Sequence, residues 1–218
     1  MEESAFCRTK ILIGDEGLEK LKNTKVAVFG VGGVGSFVVE ALARAGVGCF
    51  VLIDKDQVSL SNINRQLIAT HKTIGKLKVD VAKERILSIN PEAKVETFAE
   101  FFMPGNTNIL NNSITYIVDA IDSVSSKLSL IITAHEKNVK IISAMGMGNK
   151  LDPTQIEVSD ISKTSVCPLA KTIRKQLRAN GINHLKVVYS RELPNRFDKS
   201  EEYRRTTASI SFVPSVGG

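Results

Sequence analysis

Glycines and one aspartate near the start of the chain have the spacing of a nucleotide-binding loop. Gly30, Gly32, Gly33 and Gly35 follow the apolar run KVAVF and precede an apolar helix pattern. Glycines in such a turn let backbone N–H groups and the start of the helix approach a phosphate closely. Asp54 ends the next apolar run, 19 residues after Gly35, where a ribose-hydroxyl acceptor is expected. These residues predict an adenine nucleotide site without distinguishing NAD from ATP.

Polar residues further along the chain favour ATP. The segment DKDQVSLSNINRQ contains Arg65, Lys78 follows it, and a later apolar run ends in Asp119 and Asp122. A site that cleaves ATP has to neutralise phosphate charge, bind Mg²⁺ and orient a leaving group. Carboxylates at the C-terminal end of a parallel strand face the ligand crevice, where they can bind the metal. Hydride transfer needs no such set, so we expect ATP, with an NAD-binding oxidoreductase or a nucleotide sensor as an alternative.

Alternating strand and helix patterns have to position these residues. Apolar runs predict strands over 25–30, 49–54, 94–102, 115–122 and 140–148, and helical periodicity predicts helices over 36–46, 75–90 and 125–138. This alternation predicts an α/β fold, a Rossmann-like and mostly parallel sheet with helices on both faces. We expect an N-terminal arm or helix over 1–24, an ATP-binding core over 25–150 and a basic C-terminal α+β extension over 151–218.

The basic excess of the chain lies in that extension. Residues 163–205 contain 11 lysines and arginines against 4 aspartates and glutamates, whereas the whole chain has 29 against 23. Strands are predicted over 155–162 and 185–190, and a helix over 168–181 carries basic residues beside an apolar stripe. A localised positive field favours a polyanionic partner, with a solubilising surface as the alternative.

The cysteines do not form a metal-binding pattern. Cys7, Cys49 and Cys167 lie far apart without a CxxC pair, which argues against zinc and favours a reducing cytoplasm. Cys167 precedes a predicted helix, so a nucleophilic role remains open beside a passive one. The sequence has no run of about 18 apolar residues and no signal-peptide pattern at its start, so we expect a cytoplasmic protein without a membrane span.

Four segments together resemble a known superfamily. GVGGVGS, LIDKDQVSLSNINRQ, GKLKVDVAKERILSINP and IVDAIDSVSSK are similar to the adenylating fold of ubiquitin-activating enzymes and of bacterial sulfur-carrier activation in thiamine and molybdopterin synthesis. The resemblance covers about residues 18–150. It implies nucleotide contacts by the glycine loop, ribose binding by Asp54 and magnesium binding by Asp122. It also implies nucleotide-site positions at Asp56, Ser61, Asn62, Asn64, Arg65, Gln66, Lys78 and Ser123, with Arg65, Lys78 and Asp122 catalytic.

The C-terminal part is similar to one branch of this superfamily. DPTQIEVSDISKTSVCPLAKTIRKQLRANGI and SISFVPSVGG resemble tRNA threonylcarbamoyladenosine dehydratases. The resemblance implies that ATP activates the side-chain carboxylate of the modified adenosine as an acyl-adenylate. Attack by the ureido group would then close an oxazolone ring and release AMP. The basic segment would bind the tRNA, through Lys171, Arg174, Lys175 and Arg178.

An alternative substrate is the C-terminal Gly-Gly of a sulfur-carrier or ubiquitin-like protein. Enzymes of that branch commonly carry two zinc-binding CxxC pairs, which this sequence lacks. The resemblance implies a homodimer in which an N-terminal arginine, here Arg8, reaches the neighbouring subunit's ATP. It leaves open a bound monovalent cation and a sulfur-relay partner. In the dehydratases we expect an aspartate where this chain has Cys167, and a closing helix beyond the position of Gly218.

Overall fold

Seven strands in the described part of the chain form one mostly parallel sheet. The computed structural model describes residues 4–103, 109–110, 113–195 and 206–218. The sheet order is β3-β2-β1-β4-β5-β7-β6, and neighbouring strands are parallel except for β6 and β7. The strands are β1 (Lys25–Phe29), β2 (Cys49–Ile53), β3 (Lys94–Phe98), β4 (Tyr116–Asp119), β5 (Lys140–Ala144), β6 (Ile156–Asp160) and β7 (Lys186–Ser190). The predicted α/β, Rossmann-like fold is confirmed.

Helices cover both faces of this sheet. They are α1 (Cys7–Lys22), α2 (Gly35–Ala45), α3 (Lys78–Ile89), α4 (Val124–Glu136), α5 (Pro168–Ala179) and α6 (Phe212–Gly217). Successive side chains of a strand point to opposite faces. Val28 therefore packs with Val39 and Ile86 of α2 and α3, whereas Ala27 packs with Leu130 of α4 on the other face.

An ion-pair cluster joins α2 to α3 on the face of the sheet that these two helices cover. Glu40 accepts hydrogen bonds from Arg44 at 2.7 Å and from Arg85 at 2.7 and 2.8 Å. The hydrogen bonds from Arg85 hold the pKa of Glu40 below its ordinary value, against the opposing effect of partial burial. Its charged form therefore contributes to the packing of the two helices.

The predicted elements are present with shorter ends. β3 stops at Phe98 and β5 at Ala144, although the apolar runs continue to 102 and 148. Several of the remaining apolar residues are buried in loops instead, as Phe102 is against Phe29, with ring centroids 5.1 Å apart, whereas Phe101 is exposed. Burial outside the sheet thus accounts for the overlong predicted strands.

The two ends of the chain differ from the central core. Within the described residues none of the α1 side chains is buried, and Gly14, with φ of 73°, kinks the helix. β6 and β7 continue the core sheet, so part of the predicted extension is joined to the core by strand pairing. The division into 1–24, 25–150 and 151–218 stays a prediction.

Candidate active site

A cavity of about 610 Å³ lies at the C-terminal ends of the strands. It is centred where the strand order reverses between β1 and β4, the place where ligands bind in open α/β sheets. Its volume falls within the range of small-molecule sites. Its lining comes from the ends of β1, β2 and β3 on one side, from the turn after β4 in the middle, and from the loop after β5 on the other.

The glycine loop has two kinds of glycine. A Cβ on Gly35 would lie 1.8 Å from the carbonyl oxygen of Gly30, and a Cβ on Gly30, with φ of 86°, would lie 2.7 Å from the oxygen of Ala120. These two glycines are therefore needed for backbone packing. Gly32 and Gly33 line the cavity, and a Cβ on Gly32 would meet nothing closer than 3.8 Å. Their bare backbone leaves room for a ligand.

Asp54 holds the loop in place. Its Oδ2 accepts the N–H of Val31 at 2.7 Å and its Oδ1 accepts the N–H of Asp56 at 2.9 Å. The side chain is 10% exposed and lines the cavity. Because each carboxylate oxygen has a further lone pair, Asp54 can also accept a hydrogen bond from a ligand hydroxyl.

Lys78 presents a nearly buried ammonium to the same side of the cavity. Its Nζ donates to Oδ2 of Asp56 at 2.8 Å and lies 4.0 Å from Oδ1 of Asp54. Only 5% of the residue is exposed. An ammonium has three donors, so N–H groups remain for a phosphate after the bond to Asp56.

The polar run after β2 supplies Asn62, Arg65 and Gln66 to the lining. Asn62 ends a 3₁₀ helix (Leu60–Asn62), and its Oδ1 accepts the N–H of Ser59 at 3.1 Å. Arg65 donates to the oxygen of Ser61 at 2.9 Å and to Oδ1 of Asn64 at 3.1 Å. These bonds hold the guanidinium at the edge of the cavity.

Some predicted site residues lie outside the described lining. These are Gly35, Ser61, Asn64 and Ser123. Ser61 and Asn64 are positioned to orient Arg65 through the hydrogen bonds just described, and Gly35 to allow the loop to close. Their roles toward a nucleotide stay predictions.

Asp119, the last residue of β4, and Asp122, in the turn after it, have different surroundings. Asp122 is exposed and lines the cavity. Asp119 is fully buried, and its Oδ2 accepts hydrogen bonds from Lys127 at 2.7 Å and from Ser143 at 2.5 Å. The expectation that Asp119 faces the crevice is therefore wrong. Lys127 of α4, eight residues further along the chain, holds the Asp119 carboxylate in the protein interior.

The far side of the cavity comes from residues for which the sequence carries little signal. We call this the β5 side, formed by residues 144–148, Leu169 and Thr207. The sequence after β5 is typical of core packing around a glycine turn, and Thr207 belongs to no motif. Close packing joins them, since a Cβ on Gly148 would lie 2.1 Å from Cγ2 of Thr207.

Asn149 connects three segments behind the β5 side. Its N–H donates to the oxygen of Ala208 at 2.7 Å, and its Oδ1 accepts the N–H of Ala208 at 3.0 Å. Its own oxygen accepts the N–H of Asn195 at 2.7 Å. The residue has φ of 58°, which asparagine tolerates better than most residues.

A buried lysine and a partly buried glutamate lie next to this connection. Lys150 is 3% exposed and donates to the backbone oxygen of Glu192. Burial lowers the pKa of Lys150, although Cys167 and Glu192 act in the opposite direction. Partial burial raises the pKa of Glu192, but the N–H groups of Asp152 and Leu151 outweigh it, so the pKa lies below its ordinary value. The ionised carboxylate thus anchors the residues that follow the loop.

The predicted partner-binding residues lie away from the cavity. Arg8 is exposed on α1, and Lys171, Lys175 and Arg178 are exposed on α5. Arg174 is half-buried, and its Nη1 donates to the oxygen of Ile161 and to both oxygens of Thr164. Part of the basic segment, 196–205, lies outside the described residues. The roles of all these residues in binding stay predictions.

The described residues have neither a metal-binding cluster nor a membrane-spanning helix. No cluster of three or more histidine, cysteine, aspartate or glutamate side chains suited to a metal was found among those residues. In the same part of the chain, every helix is too short or too polar to cross a membrane.

Comparison with known proteins gives consistent matches over most of the chain. A tRNA threonylcarbamoyladenosine dehydratase of Bacillus subtilis (strain 168) is 43% identical over 235 residues, covering 98% of this chain and 89% of that protein. The crystal structure of the Escherichia coli tRNA N6-threonylcarbamoyladenosine dehydratase in complex with ATP has a TM-score of 0.89 and 34% identity, and the match covers 98% of this chain and 88% of that one.

A relative from another branch matches less of the chain. The adenylyltransferase and sulfurtransferase UBA4 of Saccharomyces cerevisiae is 32% identical over 154 residues, which are 71% of this chain and 35% of that protein. The model of the ThiF family matches residues 6–208. The chain therefore belongs to the ThiF family.

Proposed function

We propose that the protein is an ATP-dependent tRNA threonylcarbamoyladenosine dehydratase. The observation that carries this proposal is the match to the B. subtilis dehydratase over 98% of the chain, joined to the ATP complex of the E. coli enzyme with the same fold. The sulfur-carrier alternative has only the family-level match to UBA4, over 35% of that protein. The cavity supports the proposal because cationic and carboxylate side chains meet there.

The reaction begins with attack by the substrate carboxylate on the α-phosphorus of ATP. This forms an acyl-adenylate and releases pyrophosphate, after which the ureido group attacks the activated carbonyl, loses a proton and displaces AMP. Arg65 and Lys78 line the cavity with positive charge that can stabilise the phosphates as charge develops. We expect Asp54 to accept a hydrogen bond from a ribose hydroxyl, and Gly32 and Gly33 to let the phosphates approach the backbone.

Asp122 fits a magnesium site. It presents an exposed carboxylate to the cavity, and Mg²⁺ commonly binds one or two carboxylates together with substrate phosphates and water. When bound, the ion would neutralise charge on the phosphates. A monovalent cation, by contrast, has no described group that points to it.

The basic face of α5 is proposed to bind tRNA. Lys171, Lys175 and Arg178 are exposed there, whereas Arg174 fastens the helix to the residues before it. Replacing the three exposed residues by glutamine should weaken tRNA binding and reduce its salt dependence, with ATP affinity unchanged. Equal loss of ATP affinity would show that the face is structural.

A homodimer and a cytoplasmic location complete the proposal. The location follows from a tRNA substrate, and the dimer is supported by α1, where Ile11 and Leu12 are 73% and 86% exposed. If Arg8 acts on the neighbouring subunit, mixing inactive Arg8→Ala and Asp122→Ala proteins should restore activity, since each mixed dimer contains one intact site. No recovery after subunit exchange would show that Arg8 does not act on the neighbouring subunit's ATP, and a fully active Arg8→Ala protein would place Arg8 outside the reaction. A pull-down from cell extract would test whether the protein binds a sulfur-relay partner.

The central experiment combines purified protein, Mg-ATP and tRNA that carries threonylcarbamoyladenosine. We expect AMP release only with the modified tRNA, and a nucleoside lighter by one water in mass spectrometry. Asp122→Ala should abolish both products. Asp80→Ala, at an exposed position of α3 outside the cavity, is the matched control. Pyrophosphate exchange that depends on a Gly-Gly carrier protein, and not on tRNA, would favour the sulfur-carrier reaction instead.

A further inference from the structure

Two buried side-chain atoms stand out among the described residues. Oε1 of Gln66 and Oγ of Ser126 are the buried side-chain nitrogen or oxygen atoms in this part of the chain that have no hydrogen-bond partner. Both residues line the same cavity. Buried polar atoms are nearly always paired, so an unpaired one that borders a cavity indicates a group kept for a ligand.

Ser126 lies in the first turn of α4 and is 2% exposed. The first N–H groups of a helix have no partner within the helix, and they carry a partial positive charge. No side chain caps this end of α4, because the N-cap Ser123 makes no capping bond. Ser126 therefore adds a free hydroxyl to a helix end that favours an anion.

The position of Ser126 in the sheet places it between the two sides of the cavity. α4 follows β4, which lies between β1 and β5. The neighbouring Lys127 donates to the oxygen of Ala144 at 2.9 Å, so the first turn of α4 is joined to the end of β5. Ser126 thus lies next to the β5 side, across β4 from Asp54 and Lys78.

The β5 side has the composition of a site for a small, partly apolar group. Met145 and Met147 are 3% and 6% exposed and line it together with Leu169. Lys78 lies on the opposite side, 4.0 Å from Asp54, where its ammonium can neutralise phosphate charge. A nucleotide held there leaves the β5 side for the group with which it reacts.

We propose that the β5 side binds the carboxylate substrate and that Ser126 donates a hydrogen bond to the carboxylate that attacks ATP. This inference rests on the proposed function. One carboxylate oxygen accepts from the Ser126 hydroxyl while the other forms the bond to the α-phosphorus, and pyrophosphate leaves. Ser126 keeps its proton throughout, so it binds and orients the substrate without acting as an acid or base.

The test compares Ser126→Ala with Ser125→Ala, which changes an exposed hydroxyl in the same turn. Ser126→Ala should lower kcat/KM for the modified tRNA about 10- to 100-fold, the loss expected for a hydrogen bond to a charged group. Its Kd for ATP and its Kd for unmodified tRNA should stay within twofold of the wild type. Ser125→Ala should behave as the wild type in all three measurements.

Stability separates a ligand contact from a structural one. Because the hydroxyl has no partner in the folded protein, Ser126→Ala should leave Tm unchanged or raise it. Ser126→Cys, which keeps the shape with a weaker donor, should give an intermediate kcat/KM. A lower Tm, a weaker Kd for ATP or an unchanged kcat/KM in Ser126→Ala would overturn the proposal. A wild type that binds ATP yet releases no AMP with modified tRNA would contradict the proposed function instead.

Discussion

Replacing Lys127 tests how much the fold depends on the buried ion pair beneath the cavity. Lys127 and Asp119 are both 0% exposed, and their charged atoms lie 2.7 Å apart. The ammonium also donates to Oγ of Ser143 at 3.2 Å and to the oxygen of Ala144 at 2.9 Å. In Lys127→Met the carboxylate would keep the hydroxyl of Ser143 and the N–H of Ile121 but would lose its counter-charge.

The expected loss is large because the remaining charge cannot reach water. Removing one partner of a buried pair costs about 3–5 kcal/mol of unfolding free energy. For a chain of this size each kcal/mol lowers Tm by roughly 2–4 °C. Lys127→Met should therefore lower Tm by about 6–20 °C.

Urea unfolding followed by circular dichroism measures this loss. Lys175→Met, at an exposed position on α5, is the control and should stay within about 0.5 kcal/mol of the wild type. The double variant Asp119→Leu/Lys127→Met should recover most of the lost stability, because apolar groups can replace a buried pair at little cost. A loss below about 1 kcal/mol in the single variant, as for an exposed pair, would refute the reasoning. So would a double variant no more stable than the single one.

Three further changes test the loop, the helix packing and the cavity wall. Gly32→Ala should change the unfolding free energy by less than about 0.5 kcal/mol but weaken ATP binding in calorimetry. Gly35→Ala should give little folded protein, because its Cβ would lie 1.8 Å from the oxygen of Gly30. Glu40→Gln should cost about 0.5–1 kcal/mol at pH 7 in urea unfolding. That difference should vanish as the pH falls through the lowered pKa of Glu40, and a difference that persists in acid would contradict it. Asn149→Gly, which loses the bond to Ala208, should raise KM for the modified tRNA, whereas Asn149→Asp keeps the acceptor and should not.

The side of the cavity next to β1 could be predicted from the sequence because its residues lie close together along the chain. The glycine loop, Asp54 and Arg65 fall within one strand–helix–strand unit and the polar run after it, so their spacing alone indicates a shared site. The β5 side could not be predicted in this way. Thr207 and Leu169 come from distant segments, and only the sheet order brings them together.

Asp119 shows where residue type misleads. A carboxylate at the end of a parallel strand is expected to face the ligand, and nothing in its own neighbourhood distinguishes it from Asp122. The available indication was Lys127, a charge directly before the apolar run LSLII of the predicted helix, where burial requires a partner. No feature of the sequence indicates a role for Ser126, because the inference depends on its buried hydroxyl having no hydrogen-bond partner in the structure.

The parallel order of the strands has a consequence for how the protein is made. Val26 of β1 pairs with Tyr116 of β4, 90 positions later, and the cavity also needs Pro214. Contacts between such distant residues slow folding, since the long loops must close before the contacts form. A nascent chain therefore lacks a complete cavity lining until Pro214 has left the ribosome. A nucleotide that binds only the completed fold then stabilises it by mass action, so we expect ATP to raise the yield of folded protein when purified, urea-unfolded protein is refolded.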